Sequence, residues 1–333
     1  MLNITTVKAP AAGIYPQGLF KNNRGDYFET ISWVPEVKST FEPDTVYKAV
    51  YTLEPTDGGE VITEEVVFEK TGSEKAGFAE FENMLFYDNF SGNSLDLNKW
   101  QDPVYYEQER QGNSKWEARN VSVGGGVLKL RFAKENADNN FITASAVRSK
   151  GRFEGSYGYY EAKIKYPPRS GAWGAFWLFG ECVNTVGDGG IDGTEIDIVE
   201  LSRVHENGSN SALHWDGYGP EHKSTGKTYN TADYFNEANL FDGNWHLYAL
   251  EWTPSEYIFY IDDKEMWRVT NDDLAAENSG ICQNPIYVKF SIESSAPTNG
   301  TDWNMGWGGP VDPGVWEESM EVDYVAVYDR PKK

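Results

Sequence analysis

Short runs of alternating character recur along the whole chain. Tyr47, Ala49, Tyr51 and Leu53 alternate with Lys48, Val50 and Thr52. Within Val127 to Phe132, Leu128, Leu130 and Phe132 alternate with Lys129 and Arg131. Tyr257 to Ile261 and Glu265 to Val269 flank Asp262-Asp263, which predicts a hairpin. Val322 to Tyr328 predicts a closing strand, and one short stretch, Asp272 to Glu277, has helical character. A period of two sends successive side chains to opposite faces of a sheet. Many short strands, separated by Gly- and Asn/Asp-rich turns and with almost no helix, predict an all-β sandwich or barrel.

A small polar run, Thr71-Gly72-Ser73-Glu74-Lys75-Ala76-Gly77, reads as a linker. A boundary near residues 71–85 then divides the chain. Residues 1–84 suit a small immunoglobulin-like β-sandwich by strand count, without the Cys…Trp…Cys pattern. Residues 85–333 suit one large sandwich. There is no tandem repeat. At this size a hydrophobic core needs neither disulfide nor metal. The two cysteines, Cys182 and Cys282, leave pairing open.

Acidic residues outnumber basic ones by 52 to 29, for a net charge of -23, which disfavours nucleic acid and favours a neutral or cationic substrate. The same acidity also fits simple solubility. No apolar run approaches the roughly 18 residues that span a bilayer, so no membrane insertion is expected. Met1-Leu2-Asn3-Ile4 lacks a charged start followed by an apolar stretch. If the protein is exported and acts outside the cell, its signal peptide is already missing. Aromatic residues make up 15% of the chain, with 12 Trp and 20 Tyr. That excess serves either sandwich cores or flat faces for ligands. A monomer is expected.

The segment richest in chemistry is Thr194-Glu195-Ile196-Asp197-Ile198-Val199-Glu200. Its β-branched residues argue for a strand. In a regular strand Glu195 and Asp197 share a face, while Glu200, five along, points the other way. One bulge residue within Ile198-Val199 would return Glu200 to the side of Glu195. Retaining glycosidases need two carboxyl groups about 5–5.5 Å apart, and crowded carboxylates keep one of their number protonated near neutral pH. The same residues also suit a solvated acidic strand edge, or a calcium site.

Glu195-Ile196-Asp197-Ile198-Val199-Glu200 resembles the bulged Glu-x-Asp-x-x-Glu signature of glycoside hydrolase family 16. Flanking segments agree in order: Phe86 to Phe90 through Leu97 to Trp100, Asn120 to Leu130, Ser149 to Lys165, Trp245 to Pro254 and Val322 to Val325. Ala172-Trp173-Gly174-Ala175-Phe176-Trp177 is similar to the family's Trp-Pro-Ala-Phe-Trp stretch, with Gly174 in place of Pro. The resemblance covers about residues 86–329. It implies a concanavalin A-like jelly-roll sandwich with a cleft on the concave face. It further implies Glu195 as nucleophile, Asp197 as its assistant and Glu200 as acid/base, acting by double displacement on a β-linked polysaccharide without a catalytic cofactor. An Asp in the closing strand, here Asp323, holds a structural calcium in some relatives. Phe28 to Trp33 and Thr45 to Tyr51 resemble bacterial immunoglobulin-like modules.

Around the cleft, Trp173 and Trp177 are four apart and share a face, to stack on sugars or to fill core. His214, in His214-Trp215-Asp216-Gly217-Tyr218-Gly219, is placed to bond Asp197 or sugar hydroxyls, or to serve structure alone. His222 is a further candidate, and Trp116 and Arg148 either line further subsites or serve structure alone. The substrate is less defined. Val186 to Gly193 lacks the Trp that many β-1,3-glucanases carry before the catalytic strand. No run of Arg or Lys marks a sulfate-binding cleft. A β-1,3- or mixed-linkage β-1,3(4)-glucan comes first and a neutral galactose-containing glycan second. A transglycosylase shares the covalent intermediate and stays open. An inactive lectin has no use for three costly carboxylates.

Overall fold

The computed structural model describes residues 84–110, 114–138, 141–167, 171–202, 208–230, 240–294 and 311–329, with four strands ahead of them. Those four are β1 (Ile4–Lys8), β2 (Thr30–Val34), β3 (Tyr47–Leu53) and β4 (Ile62–Glu69). They form one sheet in the order β1-β4-β3-β2, with β1 and β4 parallel. The predicted linker lies outside the described residues.

The rest is built from β5 (Met84–Asp88), β6 (Gln108–Arg110), β7 (Ser114–Trp116), β8 (Val121–Gly124), β9 (Val127–Lys134), β10 (Ile142–Arg148), β11 (Glu154–Gly155) and β12 (Gly158–Lys165). It continues through β13 (Trp173–Phe179), β14 (Glu195–Ser202), β15 (Gly208–Trp215), β16 (Lys223–Asn230), β17 (His246–Trp252), β18 (Glu256–Ile261), β19 (Lys264–Thr270), β20 (Ile286–Glu293) and β21 (Trp316–Tyr328). One helix, α1 (Asn271–Ala275), is closed by a capping box between Thr270 and Asp273. Asp262 and Asp263 both take positive φ, 47° and 63°, and turn β18 into β19 as the alternation predicts.

Two sheets face each other as a jelly-roll sandwich. The front sheet runs β10-β20-β13-β14-β15-β16. The back sheet runs β19-β18-β17-β12-β21, and β21 continues onto β9 and β5. Phe176, Leu178, Ile196, Val199, Val288 and Phe290 of the front sheet join Tyr160, Ile164, Leu250, Val325 and Val327 of the back sheet in one buried cluster. Phe176 and Phe290 stack at 4.9 Å across β13 and β20. Each such side chain contributes about 1.5–3 kcal/mol, and together they fix which face of the front sheet is left for chemistry. Neither cysteine is in a disulfide, and burial pushes the Cys282 thiol up to about 12. Among the described residues no helix is long and apolar enough to cross a membrane.

Candidate active site

The site lies on the face of the front sheet that points away from this core, and the strand register assembles it. Against β15, Asp197 pairs with Ala212 and Glu200 with Asn210, so three steps on β14 match two on β15. Against β13, Asp197 lies opposite Trp177 and Val199 opposite Phe176, which leaves Ile198 as the extra residue. The Ser211 hydroxyl donates to the Ile198 carbonyl at 2.7 Å and pins the bulge. Val199 goes to the core, and Glu200 returns to the face of Glu195 and Asp197.

Three cross-strand rows result. His214 pairs with Glu195. Ala212, Asp197, Trp177, Lys289 and Arg148 form the next row. Asn210, Glu200, Ala175, Ser291 and Ala146 form the third.

The two glutamates have different partners. Glu200 accepts from Trp173 Nε1 at 3.0 Å and from Asn210 Nδ2 at 2.7 Å. Glu195 accepts from the Tyr218 hydroxyl, whose pKa burial and the Glu195 charge drive upward, so it stays a donor. Asp197, 4% exposed, lies 3.4 Å from His214 Nε2. His214 Nδ1 in turn meets His222 Nε2 at 3.0 Å, and the two imidazoles stack at 5.2 Å. Tyr218 also stacks on His222 at 5.2 Å and lies 6.4 Å from the His214 ring, so the three rings cluster together.

Burial, then the charge of Asp197, lifts the Glu195 carboxyl to about 8, while Tyr218, Lys289 and His214 pull it back. Burial and the Glu200 charge raise Asp197 strongly. Burial also raises Glu200, against the opposing pull of Asn210, His214 and Trp173. Three acids this close cannot all ionise, so the group holds protons at neutral pH and has one to give. Glu195, Asp197 and His214 bring ligand-type atoms within 4.8 Å of one another. Of these, Asp197 faces His214 Nε2 and Glu195 accepts from Tyr218.

Trp173, Trp177, His214 and Arg148 all lie on this face or at its rim. One face of the Trp177 indole is taken by the Lys289 ammonium at 3.4 Å, and its Nε1 donates to Ser291 Oγ at 3.1 Å. Arg148 stacks on the Tyr106 ring at 3.8 Å and donates to Gln101. Trp116 corrects the expectation of a cleft-lining ring. It is 1% exposed, donates to the Ile292 carbonyl at 3.2 Å and lies under the Arg110 guanidinium at 4.0 Å. Asp323 sits 2.8 Å from Lys163 Nζ on the back sheet. An ammonium on the one carboxylate proposed there does not fit a calcium site.

Sequence reasoning overlooked Asn210 and Lys289 and gave Tyr218 no role. It also found no cationic cluster, yet Arg110, Arg148 and Lys289 converge around Tyr106. They come from β6, β10 and β20, so no run of the chain could display them. A signal for Lys289 did exist. It is a lysine in strict alternation with Ile286, Val288, Phe290 and Ile292.

Similarity to known proteins is consistent with this geometry. A β-glucanase of Rhodothermus marinus is 26% identical over 273 residues, covering 77% of this chain and 88% of that protein. A keratan-sulfate endo-1,4-β-galactosidase of Sphingobacterium multivorum is 28% identical over 209 residues, 62% of this chain, but the match spans only 44% of that protein. A glycoside hydrolase family 16 endo-glucanase from Bacteroides ovatus, solved with G4G3G-2F-DNP, has a TM-score of 0.55 at 27% identity, over 73% of this chain and 99% of that one. The family model of the glycosyl hydrolases family 16 matches residues 108–324, well over half of the sequence, and the chain belongs to that family.

Proposed function

We propose that this protein is an endo-acting, retaining β-glycosidase that cuts β-1,3- or mixed-linkage β-1,3(4)-glucan. The observation that carries the reading is the bulged strand β14. It sets two glutamates with different hydrogen-bond partners on one face, with Asp197 between them. Glu195 attacks the anomeric carbon while Glu200 gives its proton to the departing glycosidic oxygen. A glycosyl ester forms on Glu195. Glu200, now a carboxylate, takes a proton from water, the water oxygen attacks the same carbon, and Glu195 is released with the configuration retained. Asp197 holds a proton between them and His214 holds Asp197. Tyr218 fixes the Glu195 carboxylate, and Trp173 with Asn210 fixes Glu200.

Glucan is placed first because the Rhodothermus relative, matched over most of its length, is a β-glucanase. A galactose-containing glycan is the second reading, favoured by the partial match to the galactosidase. Polysaccharides do not enter cells, so the enzyme is read as extracellular, with residues 1–84 as an accessory module.

The test is wild type against Glu195→Gln on laminarin, barley mixed-linkage glucan and β-galactan, with oligosaccharides read by mass spectrometry and anomers by NMR. Wild type should release oligosaccharides from a glucan with β-configured reducing ends. Glu195→Gln should be slower by at least about a thousandfold. Glu200→Gln should lose about 10²–10⁴-fold on glucan and far less on a dinitrophenyl glycoside, whose leaving group needs no proton. An active Glu195→Gln sinks the nucleophile assignment. Release from galactan alone keeps the mechanism and moves the substrate.

A further inference from the structure

The imidazole of His214 is engaged at both of its nitrogens. Nε2 lies 3.4 Å from Asp197 Oδ2, and Nδ1 meets His222 Nε2 at 3.0 Å with the ring planes 6° apart. Strand register brings the second histidine here. His214 pairs with Glu195 on one side and with Ser224 on the other. His222 stands two residues before Ser224, on the same side of the sheet, and reaches His214 diagonally. Ser224 is directly opposite but too short to make that contact.

The turn that carries His222 is fixed at several points. Asp216 and Gly217 both take positive φ, 59° and 74°. The Asp216 carboxylate accepts from Gly187 N at 2.9 Å, Gly217 N donates to the Val183 carbonyl at 2.7 Å, and His222 N donates to the Gly219 carbonyl at 3.1 Å. Lys223 Nζ lies 3.7 Å from Asp216. The Tyr218 ring, from the same turn, rests on His222 while its hydroxyl is bonded to Glu195. His222 itself is exposed, and among the described residues no carboxylate is paired with it. Burial and the His214 charge lower its pKa, in the direction of a neutral ring.

A neutral imidazole carries one proton, and the bond made by one nitrogen decides what the other can do. Two arrangements are open to the pair. In the first, His222 Nε2–H donates to a bare His214 Nδ1. The His214 proton is then on Nε2 and donates to Asp197 Oδ2. That oxygen becomes an acceptor, so a proton held by Asp197 must sit on Oδ1, the oxygen left for the glutamates. In the second, His214 Nδ1–H donates to His222. His214 Nε2 is then bare and draws the Asp197 proton to itself, away from Glu195. The hydrogen bond between the two rings therefore selects which way the proton of the central acid faces.

We propose that His222 is a positioning residue that sets the tautomer of His214: it donates from Nε2 to His214 Nδ1, which places the His214 proton on Nε2 and turns the Asp197 proton toward Glu195. This rests on the reading of Glu195 as nucleophile with Asp197 as its assistant. His222 touches no reacting atom and acts through His214 and Asp197 in turn.

The experiment combines nitrogen-15 NMR of the histidine rings with kcat/KM on a dinitrophenyl β-oligoglucoside, using the full chain. Wild type, His222→Phe, His222→Gln and Glu195→Gln are compared. Wild-type His214 should show a bare, hydrogen-bonded Nδ1 and a protonated Nε2. His222→Phe keeps a ring against Tyr218 but has no N–H to donate. Its His214 should populate the second tautomer, and kcat/KM should fall by about five- to tenfold, as the loss of one hydrogen bond gives. His222→Gln, whose amide can donate to Nδ1, should restore the Nε2 tautomer and most of the rate. A histidine that only packs the turn would make Phe and Gln lower the rate alike, with the His214 tautomer unmoved, and that result overturns the proposal. So does a proton on His214 Nδ1 in the wild type. An active Glu195→Gln removes the nucleophile assignment instead, and leaves the tautomer measurement standing.

Discussion

Glu195 is held at about 8 by burial and by the charge of Asp197. A free glutamate titrates near 4.3. The folded state therefore binds this proton more tightly than the unfolded state, and the sign of the linkage follows. The stability it contributes is complete below pH about 4.3 and is lost as pH climbs through the folded value near 8. Glu195→Gln keeps the shape and carries no charge to bury. It should unfold at the wild-type temperature near pH 4 and a few degrees higher near pH 8, by scanning calorimetry. The gain is small because Glu195 is only partly covered and solvent screens it. A lower unfolding temperature at pH 8 would contradict the burial account. The three carboxylates and His214 were legible because each stands in a short motif or on the strand that follows it. Asn210 and Lys289 were not, since a lone Asn or Lys within a strand says nothing until its cross-strand neighbours are known.

Ile198 illustrates what one strand holds. The acid spacing in β14 required an extra residue, and the register supplies it there. Gly174 on β13 is a different case. It stands where the family's Trp-Pro-Ala-Phe-Trp stretch has Pro, and nothing in the sequence explains the exchange. A Cβ at Gly174 would lie 2.5 Å from Tyr166 Cε1, 2.9 Å from its Cδ1 and 3.3 Å from Met320 Sδ. Tyr166 is 2% exposed and has no room to swing away. Gly174→Ala is expected to cost about 1–3 kcal/mol, seen as a lower urea midpoint at an unchanged slope. An unchanged midpoint would mean that the Tyr166 ring relaxes freely.

The net charge of -23 sets the long-range behaviour of the protein. A neutral glucan feels none of that field, so its KM should stay within about twofold between low salt and 0.5 M NaCl. A steep salt dependence would point to a charged substrate instead. Arg110, Arg148 and Lys289 do not reverse this expectation, because ring faces and Glu293 already answer their charge.

The alternation along the chain, the Asp262-Asp263 turn and the Glu195 to Glu200 motif each occupy a few consecutive residues. Local sterics and side-chain period act over that distance, so the all-β class, the hairpin, the bulge and the acid cluster could be read directly. The fate of Trp116, the lysine laid over Trp177 and the gathering of three cations around Tyr106 depend on which strands lie side by side. β6, β10, β13 and β20 come from positions between residues 108 and 293. Their pairing is chosen by burial of the whole core, and no short stretch of sequence contains that choice.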